Sequence, residues 1–226
     1  MPLLQSLIFP PRCLLCGAPG YSGMDLCCNC FIELPSNSCA CRQCGENLPA
    51  VSGSEICGDC LNNPPAFDET HAPYRYLEVM PYLVSQLKFR GQLAYARLLG
   101  QLLARQLLNA RRPDCIMPVP LHLSRYRERG FNQSIEIGRF ISKALQLPLS
   151  LHDCIRQQRT QHQTELTATQ RQKNLQQAFA VSRPFAYKQV AILDDVMTTG
   201  ATADALARIL KQQGVENVSV WVCCRA

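Results

Sequence analysis

The sequence predicts an α/β fold, an open and mostly parallel sheet, preceded by a small cysteine-rich module. Three observations predict it. Ten of the 14 cysteines fall in the first 60 residues. Two short apolar runs, at residues 115–120 and 190–193, have the continuous hydrophobicity of strands buried on both faces, and each leads through a polar turn towards a stretch of helical period. The length, 226 residues, suits one α/β domain with an accessory module. Hydrophobic residues at 47% and charged residues at 18% describe a globular chain, and no apolar stretch nears the roughly 18 residues of a membrane span, which excludes an integral membrane protein and a disordered chain.

The N-terminal run MPLLQSLIFPPRC has no basic start, and Pro10 and Pro11 break its apolar stretch, so it does not read as a signal peptide. The expected location is the cytoplasm, with the inner face of the cell membrane as a second place. Cysteines are reduced there, and regular spacing means metal rather than disulfide. Four CxxC pairs follow in order: Cys13 with Cys16, Cys27 with Cys30, Cys41 with Cys44, and Cys57 with Cys60. Zinc takes four thiolates in a tetrahedron, and two intervening residues let one tight turn present both sulfurs to one ion. Two pairs make a site, so the simplest arrangement is two consecutive zinc ribbons with two structural zinc ions. A cross-braced arrangement, pairs one and three sharing an ion, uses the same residues. Gly17 and Gly45 follow the first knuckle of each half, where a turn calls for positive φ. Cys28 and Cys39 are spare and lie beside ligands, where either could substitute for one. Asn62, Asn63, Pro64 and Pro65 form a breaker cluster, which sets the expected boundary: a module over 1–65 and an α/β domain over 66–226.

Charge divides at the same place. The module carries Arg12 and Arg42 against Asp25, Glu33, Glu46, Glu55 and Asp59, so the basic excess of the chain, +6 overall, belongs to the remainder. It is concentrated in residues 111–173, which suits a pyrophosphorylated sugar or a nucleic acid; charge by itself does not choose between them. Within that remainder HAPYRYL (71–77) reads as a strand and VMPYLVSQLKF (79–89) as a short helix. Residues 92–109 read as a longer helix with Ala96, Leu99, Leu103 and Leu107 on one stripe, supported by Leu102. CIMPVP is a buried strand. After it Arg125, Arg127 and Arg129 stand at alternate positions of a loop, and Ile137, Ile141, Ala144 and Leu145 mark the next helix. Residues 156–177 are polar and glutamine-rich and fit a hairpin lid, with AFAV (178–181) as a strand returning the chain to the sheet. Cys115, Cys154, Cys223 and Cys224 sit in apolar surroundings as small hydrophobes.

The stretch over 190–202 carries the chemistry. It begins as a buried strand and places Asp194 and Asp195 at the strand's carboxyl end. It then turns through Thr198, Thr199, Gly200, Ala201 and Thr202 into a helix over 203–213, with Leu206, Ile209 and Leu210 inward and Gly214 as the stop. Ligands of open parallel sheets sit at carboxyl ends of strands. A hydroxyl-rich turn opening a helix offers amides and a positive dipole end to one phosphate. The adjacent acids suit vicinal ribose hydroxyls, or Mg²⁺ held through water. Together they describe a sugar-phosphate site.

This stretch resembles the phosphoribosyl pyrophosphate (PRPP) motif of type I phosphoribosyltransferases, in which Asp194 to Thr202, Val196 and Met197 included, would bind PRPP. The resemblance implies a sheet of that kind, Mg²⁺ arriving with PRPP, and pyrophosphate leaving beside Leu121, His122, Arg125 and Arg129. Over nearly its whole length the chain is similar to the ComF/GntX family of bacterial competence-associated proteins. The cysteine knuckles, LKFRG, PVPLHLSRYRERGFNQS and DDVMTTGAT carry the likeness, with a lid pattern of Thr160, Gln163, Leu166, Arg171 and Asn174 after Arg156. Membership implies a double zinc ribbon on a phosphoribosyltransferase domain and a role in DNA uptake, natural transformation or use of external DNA, with other competence proteins as partners. The acceptor is not fixed by the family. The alternative is a non-enzymatic single-stranded DNA-binding component that retains the PRPP pocket. The last strand, VSVWVCC, is followed only by Arg225 and Ala226, so a hood over the acceptor is expected from residues 66–90 or from the zinc module.

Overall fold

The computed structural model describes residues 10–49, 53–157, 178–181 and 185–226. Its centre is a parallel sheet. β1 (Glu69–His71) and β2 (Tyr74–Arg75) both pair with β7 (Asn217–Arg225), β7 pairs with β6 (Gln189–Met197), and β6 pairs with β3 (Cys115–Pro118). Beyond β3, Leu149 bridges to Ile116 in parallel and extends the edge. β3, β6 and β7 are almost continuously buried, as their unbroken apolar runs require of strands covered on both faces. The strand expected over HAPYRYL is instead two short ones, interrupted at Ala72 and Pro73, because proline has no N–H for the ladder.

Two layers cover the sheet. On one face lie α3 (Met80–Arg90), α4 (Leu93–Gln106) and α6 (Gln133–Leu145), whose core residues include Leu83, Leu99, Leu103, Ile137 and Ile141 together with Ala191 and Leu193 of β6. On the other lies α7 (Ala201–Gln212), burying Leu206 and Leu210 against Ile192 and Val220. Gly100 lets α4 and α6 approach closely: a Cβ there would stand 2.8 Å from Phe140 Cβ and 2.9 Å from Ile137 O. Cys115, Cys154, Cys223 and Cys224 are all buried. Burial pushes the Cys115 and Cys154 thiols up to about 12, with the Asp153 carboxylate adding to it.

Two expectations are corrected. The arginine segment is not a loop throughout but forms α5 (Leu123–Arg129), capped by the His122 Nδ1, which accepts from Ser124 N, and ended by Gly130 at φ 81°. AFAV does not return to the main sheet. Its residues form β5 (Phe179–Val181), antiparallel to β4 (Cys154–Arg156), as a separate two-stranded sheet. The lid residues Thr160, Gln163, Arg171 and Asn174 lie outside the described residues.

The cysteine-rich segment has two short helices, α1 (Cys28–Ile32) and α2 (Gly58–Asn62). Met24, Leu26 and Leu34 of its first half belong to the same hydrophobic core as α3 and α4. Buried Asp25 receives Arg97 Nε at 2.8 Å, and a second guanidinium nitrogen of Arg97 pairs with the same carboxylate.

Candidate functional site

The four CxxC pairs close into two tetrads in sequence order. Cys13, Cys16, Cys27 and Cys30 form one and Cys41, Cys44, Cys57 and Cys60 the other, with the sulfurs of each within 4.8 Å of one another. Consecutive ribbons are therefore the arrangement, and the cross-braced alternative is excluded. Within the sets Sγ separations are 3.7 Å for Cys16–Cys27, 3.8 Å for Cys16–Cys30 and 3.6 Å for Cys44–Cys57. A tetrahedron of sulfurs about 2.3 Å from zinc has edges of about 3.8 Å, so both tetrads fit a structural zinc ion. Gly17 and Gly45 have φ of 76° and 69°, as the knuckle turns require. The second pair of each set is presented differently: Cys27 and Cys57 are the N-caps of α1 and α2, with Cys30 and Cys60 on the first turn. Cys28 and Cys39 are exposed and belong to neither set.

At the carboxyl end of β6 a cleft is lined by Asp194, Val196 and the turn from Met197 to Ala203, with Val119 of the segment after β3 opposite. Gly200 caps α7 in the left-handed conformation at φ 75°, and no side chain caps the helix. The first-turn amides and the positive end of a 12-residue helix thus open on this cleft, with the Ala201 N–H donating to Thr199 Oγ1 of the preceding turn at 3.4 Å. The hydroxyls of Thr198 and Thr199 are exposed beside them.

The two acids are not equivalent. Successive strand residues point to opposite faces. Asp195 lies on the α3 face, buried, with Lys88 Nζ 2.5 Å from its Oδ2. Asp194 is half-buried and lines the cleft; its Oδ1 accepts from Ser134 Oγ and from Asp195 N, each at 2.9 Å. Burial raises the Asp194 carboxyl well above the usual range, the Asp195 charge raises it further, and Lys88 and Ser134 work in the opposite direction. One acid is thereby held as the counter-ion of a lysine, and the other accepts two hydrogen bonds and faces the cleft.

Two arginines lie within electrostatic reach of this pair, and Arg125 is near both of them. Arg129 donates to Gln133 Oε1 at 2.6 Å and lies over the Phe89 ring, 5.8 Å from its centre. Burial lowers its pKa, Arg125 lowers it further, and Asp195 and Asp194 oppose. Arg156, the last residue of β4, packs over Phe179 and has the same pattern: lowered by burial and by Arg125, opposed by Asp194. Leu121 and His122 stand at the start of α5. Lys88 and Ser134 went unassigned in the sequence. LKFRG and the end of GFNQS contained them, but only the packing of α3 and α6 on β6 brings them to the acids.

Comparison with known proteins decides the family. The double zinc ribbon domain family matches residues 4–61. The DNA utilization protein YhgH of Escherichia coli O157:H7 is 35% identical over 226 residues, covering 97% of this chain and 99% of that protein. The chain belongs to this family. The competence protein F of Haemophilus influenzae is another member, 34% identical over 225 residues, covering 95% and 97% of the two chains. Further off, the competence protein ComFC of Streptococcus pneumoniae is 24% identical over 230 residues, covering 95% of this chain and all of that one. Among solved structures, a glutamine PRPP amidotransferase from B. subtilis complexed with ADP and GMP aligns at a TM-score of 0.40 and 19% identity, covering 56% of this chain and 25% of that longer one. No helix among the described residues is long and apolar enough to cross a membrane.

Proposed function

We propose that this member of the family binds Mg²⁺-PRPP at the β6–α7 cleft and acts as a phosphoribosyltransferase in the utilization or uptake of DNA, as the names of its relatives suggest. The observation that carries the reading is that one cleft contains both an uncapped helix N-terminus and a half-buried carboxylate at the end of a parallel strand. The 5′-phosphate would take the amides and hydroxyls of Thr198 to Thr202, and Asp194 would accept from a ribose hydroxyl. Asp195, paired with Lys88, would keep Asp194 in place rather than bind sugar. Magnesium, travelling with the diphosphate, would neutralise part of its charge, and a carboxylate site without nitrogen or sulfur donors suits that ion. In the transfer the bond from ribose C1 to the pyrophosphate oxygen breaks and a bond from C1 to the acceptor forms. Arg125, Arg129 and Arg156 would offset the charge on the departing group. Calorimetry with Mg²⁺-PRPP tests this: saturable binding is expected, weakened at least about tenfold in Asp194→Asn, the loss of one charge-assisted hydrogen bond. No binding to the wild-type chain would refute it.

A second reading is favoured by the rim. Phe89 is 75% exposed and Tyr126 48% exposed, interleaved with Arg125, Arg127 and Arg129, a combination of stacking faces and phosphate partners that suits single-stranded DNA. Gel shifts over a salt series separate the two: a shift at low salt that PRPP does not displace supports DNA binding apart from the cleft, and no shift removes it.

A further inference from the structure

The phosphate-receptive turn has a tether that the PRPP reading does not use. The carbonyl of Met197, the last residue of β6, accepts from Arg225 Nη1 at 3.4 Å and from Ala226 N at 2.9 Å. A trans peptide points its C=O and N–H in opposite directions, and the chain has no cis bond among the described residues. Holding the Met197 oxygen on the Arg225 side therefore turns the Thr198 N–H the other way, and Thr198 lines the cleft.

The same guanidinium reaches the second cysteine tetrad. Arg225 Nε donates to Cys44 O at 3.1 Å, and its Nη2 pairs with Glu46 Oε2 at 2.5 Å; the arginine side chain is only 12% exposed. The knuckle it grips is stitched to the sheet on its other side. Thr70 Oγ1 donates to Gln43 O at 2.6 Å, Thr70 N donates to Arg42 O at 2.9 Å, and Asn37 Nδ2 joins Gly45 O at 2.8 Å to Ala72 O at 3.0 Å. The turn that carries the Cys44 carbonyl is closed by the bonds from Gly45 N to Cys41 O and from Cys41 N to Glu46 O, and by the second tetrad, whose four sulfurs would meet at one ion. Among the described residues no such hydrogen bond to Arg225 runs from the first tetrad, whose loops bond to α4 and pack in the core shared with α3.

We propose that Arg225 is a positioning residue: it aims the Thr198 amide into the anion-receptive turn and makes that aim depend on an intact second tetrad. The consequence for affinity rests on the PRPP reading; the orientation of the peptide does not. Hydrogen exchange of the zinc-loaded full chain, followed at the Ala226 amide that bonds the Met197 carbonyl and in α4 and α6 as internal reference, reads whether that carbonyl stays held, and calorimetry with Mg²⁺-PRPP reads the affinity. Arg225→Met is expected to speed exchange at Ala226 at least about tenfold without changing α4 or α6, and to weaken PRPP by about the same factor. Arg225→Lys, with one donor group in place of a planar fork, is expected to fall nearer to Met than to wild type. Cys57→Ser should reproduce the local change. The double variant should be no worse than the stronger single, because both cut one path. Unchanged exchange at Ala226 in Arg225→Met, or a rise shared equally by α4 and α6, overturns the proposal, and the two Arg225 variants decide it even if Cys57→Ser does not fold. Faster exchange with no PRPP binding to wild type would leave the tether standing and sink the PRPP reading.

Discussion

The first tetrad is fixed mainly by apolar burial, with Met24, Leu26 and Leu34 sunk into the core shared by α3 and α4 and with the Asp25–Arg97 ion pair beside them, while the second is fixed by hydrogen bonds to β1 and by the Arg225 guanidinium. The ligand sets are chemically identical. What differs is the surface each presents: the loop of the first carries methionine and leucine, and that of the second carries Asn37, Gln43 and Glu46. Burial is non-directional and scales with area, so the first site contributes mainly to stability. Hydrogen bonds are directional and individually modest, so the second can set geometry at the cleft without holding up the fold.

The largest effect should come from Cys16→Ser. Structural zinc in small modules contributes about 10–16 kcal/mol to their folding, comparable with the whole stability of a typical domain, so opening the first tetrad should abolish cooperative thermal unfolding followed by circular dichroism. Cys57→Ser should keep a cooperative transition at lower temperature, and equal losses in the two variants would break the contrast. Next is Arg97→Met, which leaves the Asp25 carboxylate buried without its partner. The cost in urea denaturation should lie near the lower end of about 3–5 kcal/mol, because Arg97 itself is 46% exposed. Thr70→Val removes one hydrogen bond from the second ribbon and should cost about 1 kcal/mol in the same assay.

The smallest effect has the opposite sign. The folded-state pKa of Asp194 is raised, so its ionised form opposes folding above that pKa, and stability is regained as pH falls through it towards the unfolded value. Asp194→Asn keeps an oxygen for Ser134 and carries no charge. It should be more stable than wild type by about 1 kcal/mol at pH 8, a rise of about 2–4 °C in Tm, with the difference shrinking towards pH 4. A gain independent of pH would assign the effect to something other than the charge.

The cysteines declared their tetrads because the sequence spacing is itself the coordination geometry, and the buried strands declared themselves by unbroken apolar runs. The PRPP-like turn was legible for a related reason: its residues are contiguous. What escaped is non-local or unpatterned. Lys88 and Asp195 are separated by more than a hundred positions and meet only because α3 packs on β6. α5 buries none of its residues, so it has no apolar stripe, and its alternate arginines imitate a loop. The difference between Asp194 and Asp195 follows from strand alternation, which is readable, but their partners are not.

The shared core of the first ribbon and α4 also bears on the order of synthesis. Zinc can close Cys13, Cys16, Cys27 and Cys30 as soon as they emerge, yet the core that Met24, Leu26 and Leu34 enter is not complete until α4 is made. At about 5–20 residues per second the interval from Cys30 to Gln106 is roughly 4–15 s, during which a metal-loaded knuckle presents a bare hydrophobic face to whatever surrounds the ribosome.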